Sequence, residues 1–279
     1  MTIVTNPVGV ACQLQLRLLL EEVGCEILQI RRNRFQLNVR QKEGLWDIVS
    51  VADHVVEDKI ANFLRQHFPD HGIDSEEGCC VDSNSGFTWV VDPVDGTANF
   101  VSGMDLFGIS LGLTYDNFPI FGIIHYPALG KMLWAVEGGG AFLNGVRLNT
   151  GPFQGELSEA LINGDILRED INCYPSILRC CRNVLVSGSH TGAALYLVEE
   201  RIASIFHSGA TKFDIVAAAV IAWEVGCVVS GIWDDGINFT KKRVPILMSR
   251  GKHIHDELRV VLCEKIMAHR HDFLWKRQS

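Results

Sequence analysis

The chain of 279 residues predicts a mixed α/β protein, an α+β arrangement in one compact domain over 1–279 with two closely packed lobes. An N-terminal α+β lobe covers about 1–150 and a C-terminal α/β lobe about 151–279. Three textures lead there. Two apolar-periodic segments open the chain, hairpin-like strands fill 87–150, and short strands alternate with helices after Gly151. The periods of 3.6 and 2 that separate these textures are the primary signals of helix and strand.

The first helix is expected over roughly 8–31, with Leu14, Leu18, Leu19, Val23 and Ile27 at near-helical spacing. The second spans 51–67, with Ala52, Val56, Ile60, Phe63 and Leu64 on one face. Ser50 precedes it and Asp53 follows three residues on, a capping-box pattern, and FPDHG (68–72) ends it. GISLGLTY (108–115) and PIFGIIHYP (119–127) flank a turn at Asp116-Asn117, and KMLWAVEG (131–138) follows. Asn144-Gly145 is a type I′ hairpin signal, because both central residues of that turn need positive φ. Later strands are expected at 160–163, 183–187 and 202–206. DIVAAAVIAWEVG (214–226) is a helix opened by Asp214 as N-cap and closed by Gly226, and a last helix covers about 255–269.

Bulk properties narrow the function. A net charge of −8 and a pI near 5.7 speak against non-specific nucleic-acid binding, which needs a basic stripe. No apolar run approaches the length of a membrane span, and the N-terminal residues lack a secretory layout. Nine cysteines without zinc spacing point to reduced thiols in a cytoplasmic protein.

The chemistry concentrates in WVVDPVDGTANF (89–100), an apolar strand followed by Asp92-Pro93-Val94-Asp95-Gly96-Thr97. Pro93 fixes φ and Gly96 permits a conformation other residues avoid, so a bent loop can aim two carboxylates and the Val94 carbonyl to one side. Oxygen ligands of that kind suit Mg²⁺. Haloacid-dehalogenase-type phosphatases separate their two aspartates by one residue. Here two intervene, which points away from a nucleophilic aspartate. Glu76-Glu77 lies in an acidic segment upstream and Asp214 opens a helix far downstream. Each alone is weak: an acidic loop and a helix cap.

Their order and combination resemble the inositol monophosphatase family, Mg²⁺-dependent and typically lithium-sensitive phosphomonoesterases. The resemblance rests on Glu76-Glu77, the run Asp92 to Phe100, and Phe213-Asp214-Ile215-Val216-Ala217-Ala218, and it extends to GAFLNGVRL (140–148). It implies the five-layered αβαβα sandwich of the sugar phosphatases and a homodimer. It also implies metal ligation by Glu76, Asp92, the Val94 carbonyl, Asp95 and Asp214. Two or three Mg²⁺ ions would relieve the repulsion among those carboxylates and prepare a place for phosphate. Thr97, paired with Asp53, would orient the attacking water, with Glu76 completing the catalytic set. Gly96 and Thr97 would offer backbone N–H groups to phosphate. Glu77 would act behind the ligands, and Lys42 matches a family lysine in an N-terminal loop.

The implied reaction is hydrolysis of a small phosphorylated polyol or sugar by a metal-activated water, without contact to nucleic-acid polymers or membranes. Fructose 1,6-bisphosphate, histidinol phosphate and a 3′-phosphoadenosine nucleotide are alternative substrates, and a non-catalytic metal- and phosphate-binding regulator is the alternative of a different class. His207 stands where inositol-specific members carry an acidic residue, and His190 is unusual in its small-residue loop. Both are candidates for substrate contact. His253 and His255 are expected at the surface.

Overall fold

A computed structural model describes residues 7–32, 40–41, 48–49, 51–165, 174–234, 236–241 and 243–278, with side chains after Ile266 and those of the 40–41 and 48–49 pairs left aside. The predicted mixed α/β class holds: seven α-helices accompany an eight-stranded sheet, a five-stranded sheet and a two-stranded hairpin among these residues. The chain divides into two compact units. The first comprises Met1–Arg147, Gly188–Gly192 and Phe213–Ile221, and the second the remainder.

In the first unit come α1 (Val10–Arg32), the hairpin β1 (Arg40–Gln41) and β2 (Ile48–Val49), and α2 (Val51–His67). The large sheet follows: β3 (Gly72–Ser75), β4 (Cys80–Val81), β5 (Phe87–Asp95), β6 (Gly108–Tyr115), β7 (Phe118–Tyr126), β8 (Lys131–Val136), β9 (Gly140–Leu143) and β10 (Val146–Arg147). Between β5 and β6 lies a short helix, α3 (Thr97–Ser102). The sheet order is β10-β9-β8-β7-β6-β5-β3-β4, antiparallel except where β3 runs parallel to β5. Asn144 and Gly145 have φ of 50° and 83°, as the predicted type I′ hairpin demands. Leu16, Leu20, Val23 and Ile27 of α1 and Val56, Ile60 and Leu64 of α2 share one core with Trp89, Leu111 and Phe121.

The second unit holds β11 (Leu161–Asp165), α4 (Tyr174–Leu178), β12 (Asn183–Leu185), most of α5 (His190–Val198), β13 (Ser204–Ala210), β14 (Val228–Gly231), β15 (Val244–Ser249) and α7 (Lys252–Gln278). Its sheet order is β12-β11-β13-β15-β14, with β11 parallel to both neighbours and β15 antiparallel to both of its own. Ile162, Phe206, Leu247, Leu258 and Leu262 are among its core residues. Helix α6 (Lys212–Glu224) gives residues 213–221 to the first unit.

Four expectations need correction. In α1 the buried face is Leu16, Leu20, Val23 and Ile27, while Leu14 and Leu18 are exposed. The stretch Leu14-Gln15-Leu16-Arg17-Leu18-Leu19-Leu20 offers leucine on two faces, so periodicity alone could not select the inward one. Helix α6 begins at Lys212, which makes Asp214 a residue of its first turn rather than its N-cap. His255 is buried, with Nε2 2.9 Å from Ser230 Oγ, whereas His253 is exposed as expected. Asp92 to Asp95 continue the strand β5 instead of leaving it as a bent loop. Ser50 and Lys42 fall outside the described residues.

Candidate active site

Strand β5 carries its two aspartates through a bulge. Asp92 is opposite Ser110 and Asp95 opposite Gly108, so three steps on β5 match two on β6. In a regular strand that odd spacing would send the carboxylates to opposite faces. The extra residue cancels the reversal. Pro93, which has no N–H for a ladder, falls inside the irregularity.

Asp92 is almost fully buried, and its Oδ1 has no hydrogen-bond partner among the described residues. Its pKa is raised well above the usual carboxylate value, first by burial, then by the charges of Glu76, Asp95, Asp214 and Asp53. Those causes identify the cluster. Glu76 follows β3, held by its own N–H donating to the Val91 carbonyl at 3.0 Å, and although exposed it acts on Asp92 more strongly than the other charges do. Asp53, from the first turn of α2, is buried. Glu77 sits beside Glu76, half-buried.

Asp95 is tied to the start of α5. Its carboxylate accepts from the hydroxyls of Ser189 and Thr191, from His190 N–H at 3.0 Å and from Thr191 N–H at 2.8 Å. Ser189 is the N-cap, its Oγ accepting from Gly192 N–H at 2.9 Å. A residue of the eight-stranded sheet therefore fixes where α5 begins. The approach leaves no room: a Cβ on Gly188 (φ 68°) would lie 2.8 Å from Asn99 Oδ1, and one on Gly96 (φ 79°) 3.0 Å from Ser189 Cβ.

Gly96 caps α3, and Thr97 is that helix's first residue. Thr97 Oγ1 lies 2.9 Å from the Val94 carbonyl and 3.4 Å from Asp53 Oδ1. A hydroxyl has one proton, so it serves one of these acceptors at a time. The Val94 carbonyl keeps a second lone pair for another partner.

Asp214 arrives on α6, whose residues 215–222 are all buried. Its His190 contact is close: His190 Nδ1 lies 3.2 Å from Asp214 Oδ1 and 3.6 Å from Asp95 Oδ1. The ligand atoms of Asp95, His190 and Asp214 lie within 4.8 Å of one another, a group able to hold a metal ion. The orphaned Asp92 Oδ1 and the mutual repulsion recorded in its pKa make the same demand for positive charge. The residues present fit a divalent cation.

Of the predicted residues, the first unit thus gathers Asp53, Glu76, Asp92, Val94, Asp95, Gly96, Thr97, His190 and Asp214. His207 lies in the second unit on β13, buried, in register with Asp165 of β11 and Ile246 of β15. Sequence reasoning missed Ser189 and Thr191 as the side chains that bind Asp95. A Ser before a helix start signals a cap, but nothing local names a partner 94 residues away.

An α/β scaffold that buries a carboxylate cluster of this kind beside a glycine-capped helix has the donor set of a divalent-cation site. The sequence profile of the inositol monophosphatase family matches residues 13–268, and the chain belongs to that family. It is 32% identical over 249 residues to a Thermotoga maritima protein named fructose-1,6-bisphosphatase/inositol-1-monophosphatase, covering 89% of this chain and 94% of the relative. Inositol monophosphatase 2 of Rattus norvegicus is 32% identical over 206 residues, 69% of this chain and 70% of that one. Among solved structures, a Thermotoga maritima IMPase superposes with a TM-score of 0.82 at 30% identity, covering 92% of this chain and 99% of that one. The family makes this chain a phosphoric monoester hydrolase.

Proposed function

We propose that the chain is a Mg²⁺-dependent phosphomonoesterase acting on a small phosphorylated polyol or sugar, with inositol 1-phosphate as the type of substrate. The observation that carries this is Asp92: buried, with one oxygen lacking a partner among the described residues and a pKa raised by burial and four neighbouring carboxylates. Glu76, Asp92, the Val94 carbonyl, Asp95 and Asp214 would hold two or three ions. Bound Mg²⁺ would supply positive charge for the phosphate and acidify water.

The chain's own residues do the rest. When the Thr97 hydroxyl donates to Asp53, its oxygen lone pairs are left to accept a hydrogen bond from the attacking water. That orients the nucleophile without a covalent intermediate. Asp53, held in the first turn of α2, fixes the direction of that hydrogen bond. Backbone N–H groups at Gly96 and Thr97 orient the phosphate, and His190 contacts the remainder of the substrate. Histidine bonds hydroxyls, phosphate and carboxylate alike, which keeps bisphosphorylated sugars, histidinol phosphate and 3′-phosphoadenosine nucleotides as second candidates.

The proposal includes a homodimer in the cytoplasm. The eight cysteines among the described residues are all free, and no helix of them is long and apolar enough to cross a membrane.

Phosphate release with Mg²⁺ against inositol, sugar, histidinol and nucleotide monophosphates tests the reading. Turnover should require Mg²⁺, vanish with chelator and fall with lithium. Undiminished turnover in chelator, or none on any ester, would sink it.

A further inference from the structure

The imidazole of His190 stands inside the carboxylate cluster. Its Nδ1 faces two acidic oxygens, Asp214 Oδ1 at 3.2 Å and Asp95 Oδ1 at 3.6 Å. Ligands at about 2.1 Å from an octahedral ion lie about 3.0 Å apart at adjacent corners and about 4.2 Å at opposite ones. The 3.2 Å separation is close to the adjacent-corner value and the 3.6 Å separation lies between the two, so shifts of about half an ångström would bring the three atoms onto one such shell. The backbone fixes the ring there: His190 N–H donates to Asp95 Oδ1, the same oxygen its Nδ1 faces. Next to this triad, Asp92 presents a buried oxygen with no hydrogen-bond partner among the described residues, and Asp95 and Asp214 are charged neighbours of it.

We propose that His190 Nδ1 is a metal ligand which, with Asp95 and Asp214, builds a mixed nitrogen–oxygen position that raises the affinity for first-row transition ions relative to Mg²⁺, with Mn²⁺ as their spectroscopically visible member. This rests on the metal-dependent reading above and refines one of its ion positions. All-oxygen sites suit Mg²⁺, whereas imidazole raises affinity along the transition-metal series. Placed at this corner, His190 turns Nδ1 toward the ion and leaves Nε2 as the ring atom that can reach substrate. The other position, around Asp92 and Glu76, keeps oxygen donors only.

Mn²⁺ added to the full-length, metal-stripped protein provides the probe. Pulsed EPR of the bound ion should show nitrogen modulation of an imidazole in the wild type and none in His190→Val or His190→Asn. By titration calorimetry, the Mn²⁺ Kd should rise about tenfold or more in both variants, with a smaller change for Mg²⁺. Bound Mn²⁺ without nitrogen coupling in the wild type overturns the ligand assignment and leaves the metal-dependent reading standing. Tighter Mn²⁺ binding in the variants also overturns it, because His190 would then be a cation competing for the position. Absence of Mn²⁺ and Mg²⁺ binding by the wild type overturns both. If His190→Val fails to fold, the milder His190→Asn carries the comparison.

Discussion

Gly122 of β7 lies directly beneath Ala217 of α6. A Cβ on Gly122 would sit 2.5 Å from the Ala217 carbonyl oxygen and 2.7 Å from its Cα. One strand over, a Cβ on Gly112 would meet Val216 Cγ1 at 2.3 Å. The two glycines form a seat in which α6 approaches the sheet backbone to backbone, and that seat sets the height of Asp214 three residues earlier. The position of Asp214 is thus set partly by residues outside the carboxylate cluster.

Filling the seat should separate stability from side-chain chemistry. Gly122→Ala meets backbone and should destabilise by about 1–3 kcal/mol or more, with phosphatase activity lost as Asp214 is lifted. Gly112→Ala meets mainly a side chain, so Val216→Ala should restore part of its loss. The same Val216→Ala change should not rescue Gly122→Ala. Thermal unfolding and phosphate release on the four variants check this, and equal rescue of both glycine variants would contradict the seat.

Asp92 carries the opposite balance and costs the metal-free protein stability. Its folded pKa is raised, so its favourable contribution is present below the unfolded carboxylate pKa and is lost as pH rises through the folded value. At neutral pH Asp92 therefore costs the metal-free protein stability, through charge repulsion or through the proton that relieves it. Asp92→Asn should raise the Tm of metal-free protein, by roughly 2–4 °C for each kcal/mol relieved. It should also abolish turnover and cancel the Tm gain that Mg²⁺ gives the wild type, a gain worth about 2.7 kcal/mol at a hundredfold excess over Kd. A metal-free Asp92→Asn that unfolds below wild type would contradict the account.

What was legible in the sequence divides along range. The Asn144-Gly145 turn and the extent of α2 are local patterns, and each is found where it was expected. The bulge was hidden because Pro93 signals an interruption equally well as a loop or as an irregular strand. The inward face of α1 was ambiguous because leucines fill two faces. Ser189 and Thr191 were missed because Asp95 lies more than ninety residues away. The Gly112–Val216 and Gly122–Ala217 contacts are likewise tertiary, and a glycine in a strand says only that something comes close.

His255 makes stability acid-sensitive. Its pKa is lowered to about 4, chiefly by burial. Folded His255 stays neutral between about pH 4 and the unfolded pKa near 6.5, while the unfolded chain binds a proton there. Stability is therefore complete above that window and falls as pH drops through it, by roughly 1–3 kcal/mol from this group. His71 and His125, also lowered by burial, act in the same direction. Denaturant titrations of His255→Gln should show a shallower slope between pH 4 and 6.5 than wild type, and an unchanged slope would remove His255 from the explanation.

Thr97 and Asp53 should fail as a pair. The hydroxyl lies 3.4 Å from Asp53 Oδ1 but 2.9 Å from the Val94 carbonyl, so the inward rotamer is the shorter bond in the structure. To accept from water, Thr97 must give its proton to a fixed acceptor, and Asp53 is the charged one. Thr97→Val removes both functions and Asp53→Asn weakens the acceptor. Each should lower kcat by about 10²–10⁴-fold, the usual worth of a positioned proton-transfer group. KM should change little, because neither side chain is among the proposed metal ligands. Thr97→Ser keeps the hydroxyl and should retain most activity. The double variant should be scarcely worse than either single one, since the first change already removes the function the second would remove. Multiplicative losses in the double variant would show that the two residues act separately, and Asp53 would then be left with a role in the charge of the cluster alone.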